Sequence, residues 1–126
     1  MISADNAHGV HPGFSDRYEP NHSPVINKGP VIKYNANQRY ATDSRSGAAF
    51  RYLCAKANVP FQEYVVRTDM ACGSTIGPVT SGETGIRTVD VGIPMFAMHS
   101  IRETAGISDA CQFYHGLTEH VKTRID

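Results

Sequence analysis

Hydrophobic and polar positions along this chain change period several times, and each change predicts a new element. After residue 43, apolar side chains recur at helical spacing and predict a helix that ends before Pro60. Thr42 or Asp43 is the candidate N-cap of this helix. A second long helix is predicted from about Ser108. Its apolar face is predicted to comprise Ala110, Phe113, Tyr114, Leu117 and Val121.

Strands are predicted where short apolar runs stand between turn residues. Three such runs occur, at residues 30–34, 61–67 and 86–93. Residues 79–84 form a candidate short helix closed by Gly85, and residues 5–29 predict a long loop. Because strands and helices alternate, we expect an α/β fold, a three-layer sandwich with a mostly parallel central sheet.

Composition and charge narrow the class of protein. The chain has 126 residues, 40% of them hydrophobic and 19% charged, which is typical of one soluble globular domain. Twelve basic and twelve acidic side chains balance, which argues against a nucleic-acid-binding protein. No apolar run approaches membrane-spanning length, so we expect no membrane association and a cytoplasmic location. The three cysteines form no CxxC pair, which makes a thiolate zinc site improbable.

Candidate chemistry falls on the loops expected at the carboxyl ends of the strands, at residues 5–11, 69–77 and 94–100. The segment 73–77 could cradle an anion or form a tight turn. It is not a Walker loop, since no lysine follows its second glycine. Ser74 lacks the Gly-x-Ser-x-Gly setting of a serine hydrolase.

Histidines and one aspartate are candidate metal ligands. Asp5, His8 and His11 could aim ligand atoms at a common zinc, or could belong to a solvated turn. His99 follows the strongest strand and is either a ligand or a half-buried structural histidine. The other three histidines are interpreted as structural: His22, His115 and His120.

Lys33 and Tyr40 are candidate substrate contacts. Lys33 lies in an apolar strand on the same face as Val31, where its ammonium could reach solvent or an anionic ligand. Tyr40 ends a polar run and offers either a hydroxyl to a ligand or a ring for surface packing.

Taken together, these segments resemble the aspartyl aminopeptidases, a family of zinc metallo-aminopeptidases. The matching motifs follow the family's order over roughly residues 3 to 105. They are SADNAH (3–8), HP (11–12), EPNH (19–22), NKGPVIK (27–33), NQRYAT (37–42), CGSTIGP (72–78) and AMHSIRE (97–103).

The resemblance implies a hydrolase that releases N-terminal Asp or Glu from peptides with two zinc ions bridged by a carboxylate and a water or hydroxide. It implies that Asp5 ligates one zinc and His99 the other. Asp5, His8, Lys33 and Tyr40 are then expected to contact substrate, with Lys33 meeting the acidic side chain. His8 and Tyr40 would stabilise the oxyanion or fix the substrate backbone, and which does which stays open.

Family members are several times longer than this chain, and none of its glutamates is adjacent to another. Residues 1–126 are therefore expected to be the C-terminal part of the catalytic domain. The N-terminal part, the interleaved smaller domain and the general-base glutamate would be absent, so no catalytic residue is assigned in this chain. Intact members form homo-oligomers, and the isolated chain is expected to be inactive. The alternatives are a non-catalytic remnant or interaction module, and a free-standing single-zinc hydrolase.

Overall fold

A mixed four-stranded sheet forms the centre of the computed structural model, which describes residues 1–125. Its strands are β1 (Ile2–Ala4), β3 (Val31–Tyr34), β4 (Gln62–Val65) and β5 (Val89–Gly92), in the order β1-β5-β3-β4. β1 pairs with β5 and β3 with β4 in parallel, whereas β3 and β5 are antiparallel. A second sheet has the order β2-β6-β7, formed by Ala7–His8, Pro94–Phe96 and Thr104–Ala105.

Three α-helices and one 3-10 helix complete the architecture of residues 1–125. They are α1 (Ser44–Lys56), α2 (Ile76–Thr84), α3 (Ile107–Lys122) and the 3-10 helix Pro12–Arg17. None of the helices within residues 1–125 combines the length and apolarity that crossing a bilayer requires.

The two faces of the four-stranded sheet carry different layers. On one face, Phe50 and Leu53 of α1 pack with Ile32, Val89 and Val91, and Phe113 of α3 joins them. On the other face, a cluster of Ala7, Val31, Tyr40 and Tyr64 lies under the loops and the start of α2. The predicted layered α/β sandwich is confirmed, with a sheet that is mixed rather than strictly parallel.

The antiparallel pairing of β3 with β5 corrects one expectation about the loops. Residues 69–77 follow β4, which runs opposite to β5. The three candidate loops therefore do not all follow strands of one direction, and a common carboxyl edge does not unite them. Local sequence patterns do not specify strand direction, because both directions use the same apolar alternation.

Helix caps explain where α1 and α2 begin. Asp43 caps α1 by accepting a hydrogen bond from the Ser46 amide at 2.6 Å, so it is Asp43 rather than Thr42 that fills this role. α2 begins at Ile76, three residues before the predicted start, because the Thr75 side chain caps it by accepting a hydrogen bond from the Gly77 amide. Pro78 is tolerated in its first turn, where a missing N–H costs little. Gly85 ends α2 in the left-handed conformation, as expected.

The predicted apolar face of α3 is wrong in part. Tyr114 and Val121 are 67% and 86% exposed, whereas Asp109 and Gly116 are buried. The Asp109 carboxylate accepts hydrogen bonds from the amides of Asn27 and Gly29 at 2.6 and 2.8 Å. This anchor turns α3 so that its polar residue faces inward.

Candidate active site

Asp5 directly follows β1 at a point where two backbones come unusually close. Its amide donates to the Val91 carbonyl at 2.9 Å. A methyl group built on Gly92 would lie 1.7 Å from the Asp5 carbonyl oxygen, so only glycine permits this approach. The Asp5 side chain is 55% exposed. The sheet thus fixes the backbone of Asp5 and leaves its carboxylate accessible.

Lys33 of β3 is fully buried, with 1% of its surface exposed. Its Nζ donates to the carbonyl oxygens of Asp5 and Asn6 at 3.0 and 3.3 Å, and to Asp5 Oδ2 at 3.3 Å. Burial lowers the pKa of Lys33, and the carboxylate of Asp5 opposes that shift. The ammonium therefore does not reach solvent, and its contact with an anionic ligand stays a prediction.

Tyr40 is buried rather than packed on the surface. Its ring centroid lies 5.0 Å from Lys33 Nζ, a cation–π arrangement. Burial raises the pKa of the Tyr40 hydroxyl, and the neighbouring Cys72 thiol raises it further. Cys72 therefore belongs to this cluster.

His8 ends β2 beside the first residues of β6. The Gly9 amide donates to the Met95 carbonyl at 2.9 Å, which joins the two segments. Burial lowers the pKa of His8, the charges of His99 and Lys33 lower it further, and Asp5 opposes them. His8 is therefore within electrostatic range of both predicted zinc ligands.

His99 lies in an exposed turn after β6. Its backbone has φ of +68°, and Ala97 in the same turn has φ of +54°. The Glu103 carboxylate accepts from the His99 amide at 2.5 Å, which holds the turn and leaves the imidazole outside this bond. His99 is thus exposed rather than half-buried, and its role as a zinc ligand stays a prediction.

His11 has a local structural role in the loop after β2. Its Nδ1 accepts from the Gly13 amide at 3.1 Å and caps the 3-10 helix. Its ring packs 5.4 Å from that of Phe14 and 5.5 Å from that of Phe96. The turn interpretation therefore describes His11 better than the ligand interpretation.

Segment 73–77 leads into α2, with extended backbone at Thr75 and with Ile76 and Gly77 already in the helix. The Thr75 hydroxyl accepts from the Gly77 amide at 3.3 Å, and the Ser74 hydroxyl donates to the Arg39 carbonyl at 3.1 Å. The hydroxyls of this segment are thus bonded to other parts of the fold, namely the Arg39 carbonyl and the Asp90 carboxylate.

Asp90 is the site neighbour that the sequence reasoning missed. It is completely buried in β5, between Val89 and Val91. The available signal was a charged residue within an apolar strand, the same pattern that drew attention to Lys33.

Comparison with known proteins gives the class to which this fold and site belong. The sequence model of the family described as aminopeptidase I zinc metalloprotease (M18) matches residues 1–119. The chain belongs to this family, as its motifs predicted.

Particular relatives are considerably longer. A probable M18 family aminopeptidase 2 of Ectopseudomonas mendocina is 58% identical over 118 residues, which cover 94% of this chain and 28% of that protein. One of Pseudomonas putida strain F1 is 56% identical over 124 residues, covering 98% of this chain and 29% of that protein. The chain therefore spans less than a third of the length of these relatives.

Solved structures agree with the family. A cryo-EM structure of the Ape4 and Nbr1 complex has a TM-score of 0.89 and 45% identity, covering 99% of this chain and 25% of that chain. The yeast aminopeptidase 1 crystal structure has a TM-score of 0.81 and 34% identity, covering 94% and 26%. The S. cerevisiae mApe1 structure, a dodecamer, has the same TM-score and identity.

Proposed function

We propose that residues 1–126 are the C-terminal part of the catalytic domain of a zinc aminopeptidase that removes acidic residues from the N-termini of peptides. The observation that carries this proposal is the buried ammonium of Lys33 beside the accessible carboxylate of Asp5. Membership of the M18 family supports the metallo-aminopeptidase class. The acidic preference rests on Lys33. By analogy with the dodecameric relative, the intact enzyme would be a homo-oligomer.

Asp5 and His99 would each hold one of two zinc ions. Carboxylate and neutral imidazole are ordinary zinc ligands, and the Asp5 carboxylate is accessible enough to ligate. Within residues 1–125, no three His, Cys, Asp or Glu side chains are grouped to hold a metal. The other ligands and the general-base glutamate would therefore come from outside this chain. When bound, zinc supplies the Lewis acid that polarises the scissile carbonyl.

Lys33 would recognise the acidic side chain of the substrate. An ammonium has three donors, and two of them are directed to the carbonyls of Asp5 and Asn6. The third reaches Asp5 Oδ2 at 3.3 Å, which is long for a charge-assisted hydrogen bond. A substrate carboxylate would replace Oδ2 when Asp5 turns to zinc. His8 and Tyr40, which lie beside this pair, would fix the substrate backbone or stabilise the oxyanion.

Reconstitution tests this proposal. The chain would be co-expressed with the preceding part of the Ectopseudomonas mendocina relative, and release of N-terminal Asp, Glu and Leu would be measured with zinc and with a chelator. We expect zinc-dependent release that favours Asp and Glu. The His99→Ala variant should be inactive, whereas His115→Ala, an exposed histidine on α3, should retain activity. Full activity of His99→Ala would refute the ligand assignment.

Lys33→Ala separates specificity from catalysis. A charge-assisted hydrogen bond is worth about 1.5–3 kcal/mol, so the ratio of kcat/KM for acidic over neutral substrates should fall roughly 10- to 100-fold. Lys28→Ala, which removes an exposed lysine, should leave the ratio unchanged. Unchanged acidic preference in Lys33→Ala would remove the basis of the proposed specificity. Absence of hydrolysis by the parent complex would instead favour a non-catalytic module, and zinc-independent hydrolysis would contradict the proposed role of zinc.

A further inference from the structure

A row of buried polar side chains crosses the sheet beneath the candidate site. Ser3 of β1 is aligned with Asp90 of β5, and Lys33 of β3 is aligned with Tyr64 of β4. Continuing the antiparallel register of β3 and β5, in which Ile32 faces Val91, brings Lys33 opposite Asp90. All four residues are at most 7% exposed. The only carboxylate of this row therefore lies on the strand next to the ammonium.

The Asp90 carboxylate makes two short hydrogen bonds to two different loops. Oδ2 accepts from the Ala41 amide and Oδ1 from the Thr75 hydroxyl, both at 2.6 Å. A methyl group on Gly77 would lie 2.3 Å from Oδ2, so α2 approaches the carboxylate closely. The Thr42 hydroxyl accepts a hydrogen bond from the Asp90 backbone amide at 2.9 Å, which is a third bond between Asp90 and these loops.

These hydrogen bonds hold the backbone next to Tyr40, the residue whose ring packs against the Lys33 ammonium. Ala41 follows Tyr40 directly, so holding the Ala41 amide holds the backbone from which the Tyr40 ring extends. That ring lies 5.0 Å from Lys33 Nζ. The loop before α2 carries Cys72, which packs against the same cluster. One carboxylate thus joins both loops that flank Lys33.

We propose that Asp90 is a positioning residue for recognition of the acidic substrate, because its buried carboxylate fixes the Tyr40 loop and the Thr75 segment around Lys33. This inference rests on the proposed aminopeptidase function. Asp90 touches no substrate in this account. It acts through the placement of Tyr40 and through its charge on the strand beside Lys33.

Asp109 offers a matched control. It is as completely buried as Asp90 and accepts two hydrogen bonds of 2.6 and 2.8 Å. Its partners, however, are the amides of Asn27 and Gly29, in a different loop. Asp90→Asn and Asp109→Asn therefore remove the same charge from equally buried and equally bonded positions.

The test compares both variants in the reconstituted complex. We expect both to lower stability by similar amounts. Only Asp90→Asn should lower the acidic-to-neutral ratio of kcat/KM, by at least tenfold. A Thr75→Val variant, which removes one partner and keeps the shape, should lower the ratio in the same direction. Equal effects of Asp90→Asn and Asp109→Asn on the ratio would overturn the positioning role.

NMR of the full 126-residue chain gives a second readout that does not need peptidase activity. Asp90→Asn should shift the Tyr40 ring and Lys33 side-chain resonances and speed exchange of the Ala41 amide, whereas Asp109→Asn should not. Unaltered Tyr40 and Lys33 signals in Asp90→Asn would contradict the inference. If the parent complex hydrolyses no peptide, the proposed function fails while this readout still decides the role of Asp90. Thr75→Val replaces Asp90→Asn in the NMR comparison should the latter not fold.

Discussion

Gly92→Ala is the substitution for which the structure predicts the largest local conflict. The added methyl group would lie 1.7 Å from the Asp5 carbonyl oxygen, 2.6 Å from the Asp5 carbonyl carbon and 2.8 Å from the Asn6 Cα. An ordinary contact needs roughly 3.4 Å, so the two backbones must separate by about 1.7 Å. That movement would strain the hydrogen bond from the Asp5 amide to Val91.

The expected cost follows from this geometry. Overpacking in a well-packed core typically costs 1–3 kcal/mol, and here both partners are backbone atoms that cannot rotate away. We therefore expect a loss of about 3 kcal/mol or more in the free energy of unfolding. The same displacement would move Asp5 relative to Lys33, so zinc affinity of the reconstituted complex should fall too.

Urea unfolding followed by far-UV circular dichroism measures this loss. Gly82→Ala is the matched control, because its methyl group meets no atom within 4 Å in α2. Alanine favours a helix over glycine, so this control should gain roughly 0.5–1 kcal/mol. A Gly92→Ala variant within about 0.5 kcal/mol of the parent would refute the reasoning about the close approach of β1 and β5.

Two further predictions concern stability. Asp43→Ala removes the cap of α1 and should lower the free energy of unfolding by about 1 kcal/mol in urea titrations. An unchanged free energy of unfolding would contradict the capping role. Burial raises the pKa of the Cys54 thiol from 9.0 to about 11 and that of Tyr64 from 10.0 to about 12. The folded chain then holds these protons more tightly than the unfolded chain, so the stabilisation is complete below pH 9 and is lost as pH rises through 9–12. Between pH 8 and 10.5 we expect the free energy of unfolding to fall by roughly 2–3 kcal/mol, and that of the Cys54→Ala variant to fall less. Identical pH profiles of stability in the parent and this variant would contradict the raised pKa of Cys54.

The sequence predicted local elements well where one signal dominates. The helical apolar spacing and the two candidate caps located α1, and the run at 30–34 located β3. The sequence predicted the helix α3 but not which of its faces is buried. The buried face is set by the hydrogen bonds of Asp109 to a loop about eighty residues earlier in the chain. Such long-range polar anchors leave no periodic trace in the sequence.

The candidate site could be assembled only partly from the sequence. Resemblance to a family brought together Asp5, His8, Lys33, Tyr40 and His99, whereas the residues alone left each of them with a structural alternative. The burial of Lys33 could not be predicted, because it depends on the Asp5–Asn6 backbone, whose carbonyls accept hydrogen bonds from Nζ. The position of this backbone in turn requires Gly92 on the neighbouring strand β5.

Anomalous diffraction at the zinc edge from crystals of the reconstituted complex tests the central claim most directly. We predict two peaks, one about 2.0–2.2 Å from an Asp5 carboxylate oxygen and the other about 2.0–2.1 Å from a His99 ring nitrogen. A zinc-loaded, active complex whose peaks lie away from both side chains would contradict the account.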